Sequence, residues 1–96
     1  MRTPRTTSRA DIDLLQIWAF IAQDDISKAD ELIDRLHARF EQLAKMPESG
    51  QRCDEIAPGL RRSTILGYII LYRVTDIDVE ILRVVHGARN LRTPLD

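Results

Sequence analysis

GYIILYRVTDIDVEILRVV, residues 67–85, decides how this chain folds. Tyr68 to Val74 and Val79 to Val85 are runs rich in β-branched and aromatic residues. The link between them, Thr75-Asp76-Ile77-Asp78, is short enough to demand an antiparallel hairpin. Pairing Val74 with Val79 sets Arg73 opposite Glu80 and Tyr72 opposite Ile81, and opposite charges across a ladder help to hold that register. Strict alternation along both strands then puts Tyr68, Ile70, Tyr72, Val74, Val79, Ile81 and Val85 on one face. Ile69, Leu71, Leu82 and Val84 fall on the other. Both faces are apolar, whereas a lone antiparallel sheet usually keeps one polar face. The second face is therefore a candidate partner surface, unless the loop at residues 47–59 folds over it.

Upstream, LRRSTI (60–65) reads as a third strand, joined to the hairpin by Leu66-Gly67. PESGQRCDEIAPG (47–59) carries two prolines and two glycines and reads as a loop with at most one short helical turn. Before it the period changes from that of a strand to that of a helix. Ala29, Leu32, Ile33, Leu36, Phe40, Leu43 and Ala44 form a stripe that predicts a helix over 27–45, stopped by Met46-Pro47. Ala10, Leu14, Ile17, Trp18 and Ile21 predict another over 9–22, opened by the capping box Ser8-Arg9-Ala10-Asp11. Asp24 and Asp25 end that helix and cap the next. So short a link implies an antiparallel helical hairpin. Thr3 to Thr7, with Pro4, reads as an extended arm suited to a sheet edge. The expected architecture is a single α+β domain over 1–96: an N-terminal strand, a helical hairpin, then a three-stranded antiparallel meander.

The chain has 96 residues, enough for one small domain with a thin stability margin that a bound partner would widen. Net charge is −1, but it is unevenly placed. Residues 9–56 hold six Lys/Arg and eleven Asp/Glu, while the flanking segments are basic. A pI near 6.1 argues against a general nucleic-acid binder. Cys53 is the single cysteine, which excludes an internal disulfide and a cysteine-based zinc site and suits the cytoplasm. The N-terminus has no apolar signal region, and the longest apolar stretch, around Gly67 to Tyr72, is too short to cross a bilayer.

Few residues look chemical. The expected register gathers Arg61, Ser63 and Arg83 near Tyr72, with His86 and Arg89 just beyond the strand end. Such a group can bind phosphate, and a histidine can move a proton. Strand arginines more often pair with carboxylates or lay their stems on apolar surface. His37, between Leu36 and Phe40, reads as a core or interface histidine. The two histidines have no metal-ligand spacing, and no phosphate loop or nucleophile elbow occurs. No base partner for Cys53 is evident. No cofactor or metal is expected.

ADIDLLQIWAFIAQDD (10–25), MPESGQRCDEIAPGLR (46–61), GYIILYRV (67–74) and EILRVVHGARN (80–90), in this order, resemble the ParE branch of the RelE/ParE toxin superfamily. The resemblance spans nearly the whole chain and implies the same fold. It also implies a type II toxin–antitoxin system, with growth arrest through DNA gyrase and no sequence-specific DNA binding by the toxin alone. The implied antitoxin is a ParD-like ribbon–helix–helix protein whose C-terminal segment lies along apolar toxin surface. Leu14, Trp18, Ile69, Leu71, Leu82 and Val84 are the candidate contacts.

The RelE branch instead cleaves messenger RNA on the ribosome by acid–base and electrostatic catalysis with basic residues and often a C-terminal tyrosine. Here no lysine follows Lys45, Ile69 stands where an arginine is often found, and the tail LRTPLD has no tyrosine. Arg61, Arg62, Arg83 and Arg89 remain as phosphate contacts, and catalytic candidates reduce to Arg61, Arg83, His86 and Arg89. Three readings stay open: a non-enzymatic gyrase inhibitor, which these absences favour, a reduced RNA endonuclease, and a non-toxic module that only binds an antitoxin.

Overall fold

The computed structural model describes residues 2–87. The chain forms β1 (Thr3–Thr6), α1 (Ser8–Ala22), α2 (Ile26–Lys45), a single 3-10 turn (Pro47–Ser49), β2 (Gln51–Arg52), β3 (Arg61–Ile65), β4 (Tyr68–Val74) and β5 (Asp78–His86). The helical hairpin and the β3–β4–β5 meander stand as expected. The sheet is larger, with order β1-β5-β4-β3-β2. β1 joins β5 in parallel, with Pro4 on the outer edge strand where its missing N–H is harmless. The two-residue β2 comes from the segment expected to be loop and pairs antiparallel with β3.

Local chemistry sets the element ends. The α1 cap is Thr7, one residue before the expected Ser8. Its hydroxyl accepts the Ala10 amide at 3.1 Å and donates to the Leu82 carbonyl at 3.0 Å, so one side chain closes the helix start and the strand edge. Ser8 thus becomes the first helical residue, and Asp11 accepts from the Thr6 hydroxyl at 2.6 Å instead. Asp25 caps α2, accepting from the Lys28 amide at 3.0 Å. Leu66 (φ 51°) and Gly67 (φ 84°) both take positive φ, as a two-residue hairpin turn of the primed kind requires.

Val74 pairs with Val79, Arg73 with Glu80 and Tyr72 with Ile81, as the sequence implies. Beyond that point the alternation breaks. Tyr72 faces Ile81 but Leu71 faces Arg83, so Leu82 is the extra residue of a β-bulge. The bulge reverses the faces of the residues that follow. Val84 packs in the core under the helices with Ile70, Tyr72, Val79 and Ile81, and Val85 packs on the far side with Leu82. The expected placement of Val84 with Leu82, and of Val85 with Ile81, is therefore corrected.

The helices bury one sheet face through Ala10, Leu14, Leu36, Phe40 and Leu43. Residues 53–60 fold over the other face, where Cys53 and Leu60 pack on Ile69 and Leu71. That answers the two-faced apolarity of the sheet: much of the second face is covered by the chain itself. Leu82 and Val85 remain half-buried there. Next to them lies an ionic strip. Asp78 and Glu80 are buried, with Arg5 from β1 on both (3.0 Å to Asp78) and Arg73 from β4 on Glu80 (2.8 Å).

Candidate functional site

The bulge in β5 controls where the candidate residues go. Arg83 turns to α1, where its Nε lies 2.7 Å from Asp13. Asp13 also accepts the Val84 amide at 2.9 Å. β1 stops pairing at Ile81, so the next outward amide of β5 needs another acceptor, and the helix carboxylate supplies it. Arg83 is therefore not beside Tyr72, as the unbroken register implied.

Arg61 does pair with Tyr72. Its Nη1 donates to the Gly50 carbonyl at 2.8 Å and the Glu48 carbonyl at 3.4 Å. The Tyr72 hydroxyl donates to the Pro47 carbonyl at 2.8 Å and accepts the Gly50 amide at 2.9 Å. Burial pushes that hydroxyl's pKa up, against the Gly50 hydrogen bond and the Arg61 charge. Arg61 and Tyr72 thus pin the turn after α2 to the sheet. Gly50 is required by close approach, since a Cβ there would meet the Tyr72 ring and lie 2.8 Å from the Arg62 carbonyl. Ser63 accepts from Arg39 of α2 at 2.7 Å.

His86 lies opposite Tyr68, with ring centroids 5.2 Å apart at 90°. Arg89 lies outside the described residues. Position 69, where a basic residue would serve RNA cleavage, is the buried Ile69. His37 is exposed, with its ring edge-on to Phe40 at 5.4 Å, and so is not a core residue. Burial raises the pKa of the Cys53 thiol. Among the described residues, Arg61 holds the turn after α2, Arg83 pairs with Asp13 of α1 and His86 packs on Tyr68, so the three sit on different parts of the fold.

The apolar candidates also divide. Leu14, Ile69, Leu71 and Val84 are buried, while Trp18 and Leu82 are half-buried. The Trp18 indole donates to Asp30 of α2 at 2.7 Å. Sequence reasoning missed the outer face of α1, where Ile12, Leu15 and Phe20 are 45%, 67% and 66% exposed. The signal was present, because α1 carries more apolar residues than one core stripe needs.

Residues 5–91 match the family model described as ParE toxin of type II toxin-antitoxin system, parDE. The chain belongs to the ParE toxin family. It is 33% identical to Toxin ParE1 of Caulobacter vibrioides over 96 residues, with 99% of each chain covered. Toxin ParE3 of the same organism is 29% identical over 84 residues, covering 86% of this chain and 84% of that protein. The ParE fold also agrees with a solved structure, "Chromosomal ParDE TA system from P. aeruginosa". The TM-score is 0.75 at 21% identity, with 90% of this chain and 96% of that chain covered. This is accordingly a ParE toxin of the type II toxin–antitoxin class.

Proposed function

We propose that this ParE toxin arrests growth by inhibiting DNA gyrase, as a binding protein and not as an enzyme, in the cytoplasm, and that a ParD-type ribbon–helix–helix antitoxin neutralises it. Family membership supports the target. The observation that carries the non-enzymatic reading is the dispersal of the basic residues: Arg83 is tied to Asp13, Arg61 to loop carbonyls, and position 69 is apolar. General acid–base chemistry needs such groups converged on one scissile bond. The antitoxin's apolar segment is proposed to lie on Ile12, Leu15 and Phe20, with Trp18 on the same helix, while Leu82 stands apart on the far face of the sheet. Leu14, Ile69, Leu71 and Val84 are already packed inside.

Induced expression in a bacterial culture tests this. The expected result is growth arrest with relaxed plasmid DNA and intact messenger RNA, relieved by the antitoxin. Arrest with codon-phased messenger cleavage and normal supercoiling would favour the endonuclease reading instead, and unimpaired growth the non-toxic module.

A further inference from the structure

Across the end of the sheet, away from the outer face of α1, runs an open cleft of roughly 710 Å3. That is within the size range of binding sites for small ligands or a few residues of peptide. Its walls come from four parts of the fold: Arg2 beside β1, Glu48 in the 3-10 turn, Arg52 of β2 and Arg61 of β3, with Leu60 and Val74 supplying apolar lining. Three guanidiniums face one carboxylate in a chain whose net charge is −1. Arg52 is already matched by Asp54 at 2.7 Å. Among the described residues neither Arg2 nor Arg61 forms a salt bridge, although the Arg61 charge is near enough to help lower the Asp54 pKa. Arg2 Nε donates to the Thr75 carbonyl at 3.0 Å, and Arg61 Nη1 to the Gly50 and Glu48 carbonyls.

Backbone carbonyls orient a guanidinium without cancelling its charge. The remaining N–H groups of both arginines make no hydrogen bond among the described residues. A guanidinium held this way presents a fixed pair of donors, the geometry that suits a carboxylate or a phosphate. Two features favour carboxylate. No aromatic ring lines the cleft among the described residues, so a nucleotide base would find nothing to stack on. The apolar lining beside the arginines instead suits the aliphatic side chains of a peptide.

We propose that this cleft binds an extended acidic peptide segment of a protein partner, with carboxylates on Arg2 and Arg61 and an aliphatic side chain against Leu60 and Val74. This docking site is separate from the α1 face and does not depend on the gyrase reading.

The test is fluorescence anisotropy on the purified full chain with a labelled peptide of alternating aspartate and leucine. The same peptide with asparagine for aspartate and a labelled oligothymidylate are the comparisons. The aspartate peptide should bind, and added salt should weaken it. Arg2→Glu should loosen it by roughly tenfold or more, as expected for reversing one charge-assisted contact. Arg61 also holds the turn after α2, so Arg61→Lys, which keeps the charge but loses the planar fork, is read beside it and should weaken binding less. Arg9→Gln, away from the cleft, should change nothing. Equal binding of the asparagine peptide, tighter binding of the oligothymidylate, no binding at all, or an Arg2→Glu variant that binds as well as the parent would each overturn the proposal.

Discussion

Asp13 and Arg83 are seventy residues apart in sequence and 2.7 Å apart in space, with side chains only 7% and 11% exposed. The carboxylate neutralises the guanidinium and takes the Val84 amide at the point where β5 loses its neighbour β1. Removing the carboxylate takes this buried ion pair from Arg83 and leaves the Val84 amide without its acceptor. Asp13→Ala should therefore lower unfolding free energy by about 3–5 kcal/mol, and the Asp13→Leu, Arg83→Met double variant by clearly less. Urea denaturation of the three proteins checks this. A loss below about 1 kcal/mol for Asp13→Ala would show that the pair does not hold α1 to β5.

Tyr72→Phe tests the second anchor. It strands the Gly50 amide and the Pro47 carbonyl, and should cost about 1–3 kcal/mol. Gly50→Ala should be at least as damaging, because its methyl group would meet the Tyr72 ring and the Arg62 carbonyl. Thermal unfolding of both variants decides the point. Parent-like melting would mean that the turn is not pinned to the sheet.

At the β3–β4 turn the opposite sign is expected. Leu66 holds φ 51° with its side chain half exposed. Leu66→Asn, which tolerates the left-handed region, should raise stability by about 0.5–1 kcal/mol. A less stable variant in denaturant would show that the Leu66 side chain contributes packing worth more than this strain.

The Cys53 thiol is buried beneath the sheet and its pKa is raised, chiefly by burial. A group whose folded-state pKa lies above its unfolded value contributes its full share of stability below the unfolded value. That share is lost as pH rises through the folded one. The protein should thus lose stability on the alkaline side of the ordinary thiol range, and Cys53→Ala should reduce that loss. A disulfide reagent should label Cys53 slowly in buffer and quickly in urea. Labelling in buffer at the rate of a free thiol would contradict the burial.

Much of the fold was legible because its signals are periodic. The helix stripes, the Pro4 arm and the Val74–Val79 register all follow from spacing and from charges that face one another. The bulge at Leu82 was only partly legible: DVEILRVV breaks its alternation at Ile81-Leu82, but an unbroken strand with Arg83 on the apolar face fits the same residues. That single residue moved Val84 to the core and Arg83 to α1, and with them most of the expected site. Nothing in the sequence marks Asp13 as a buried acid, because the acceptor role it fills depends on where β1 stops pairing. The covering of Ile69 and Leu71 was half legible: the loop carries apolar Cys53, Ile56 and Ala57 and runs into Leu60, and of these Cys53, Ala57 and Leu60 pack on the sheet.

Gyrase is the proposed target, and purified components test that directly. The full chain is incubated with gyrase, ATP and relaxed plasmid, with and without the antitoxin. Supercoiling should fall and linear DNA should appear after denaturant, and the antitoxin should cancel both. Full supercoiling at a large excess of folded protein, with no linear DNA, would contradict the gyrase-inhibitor reading.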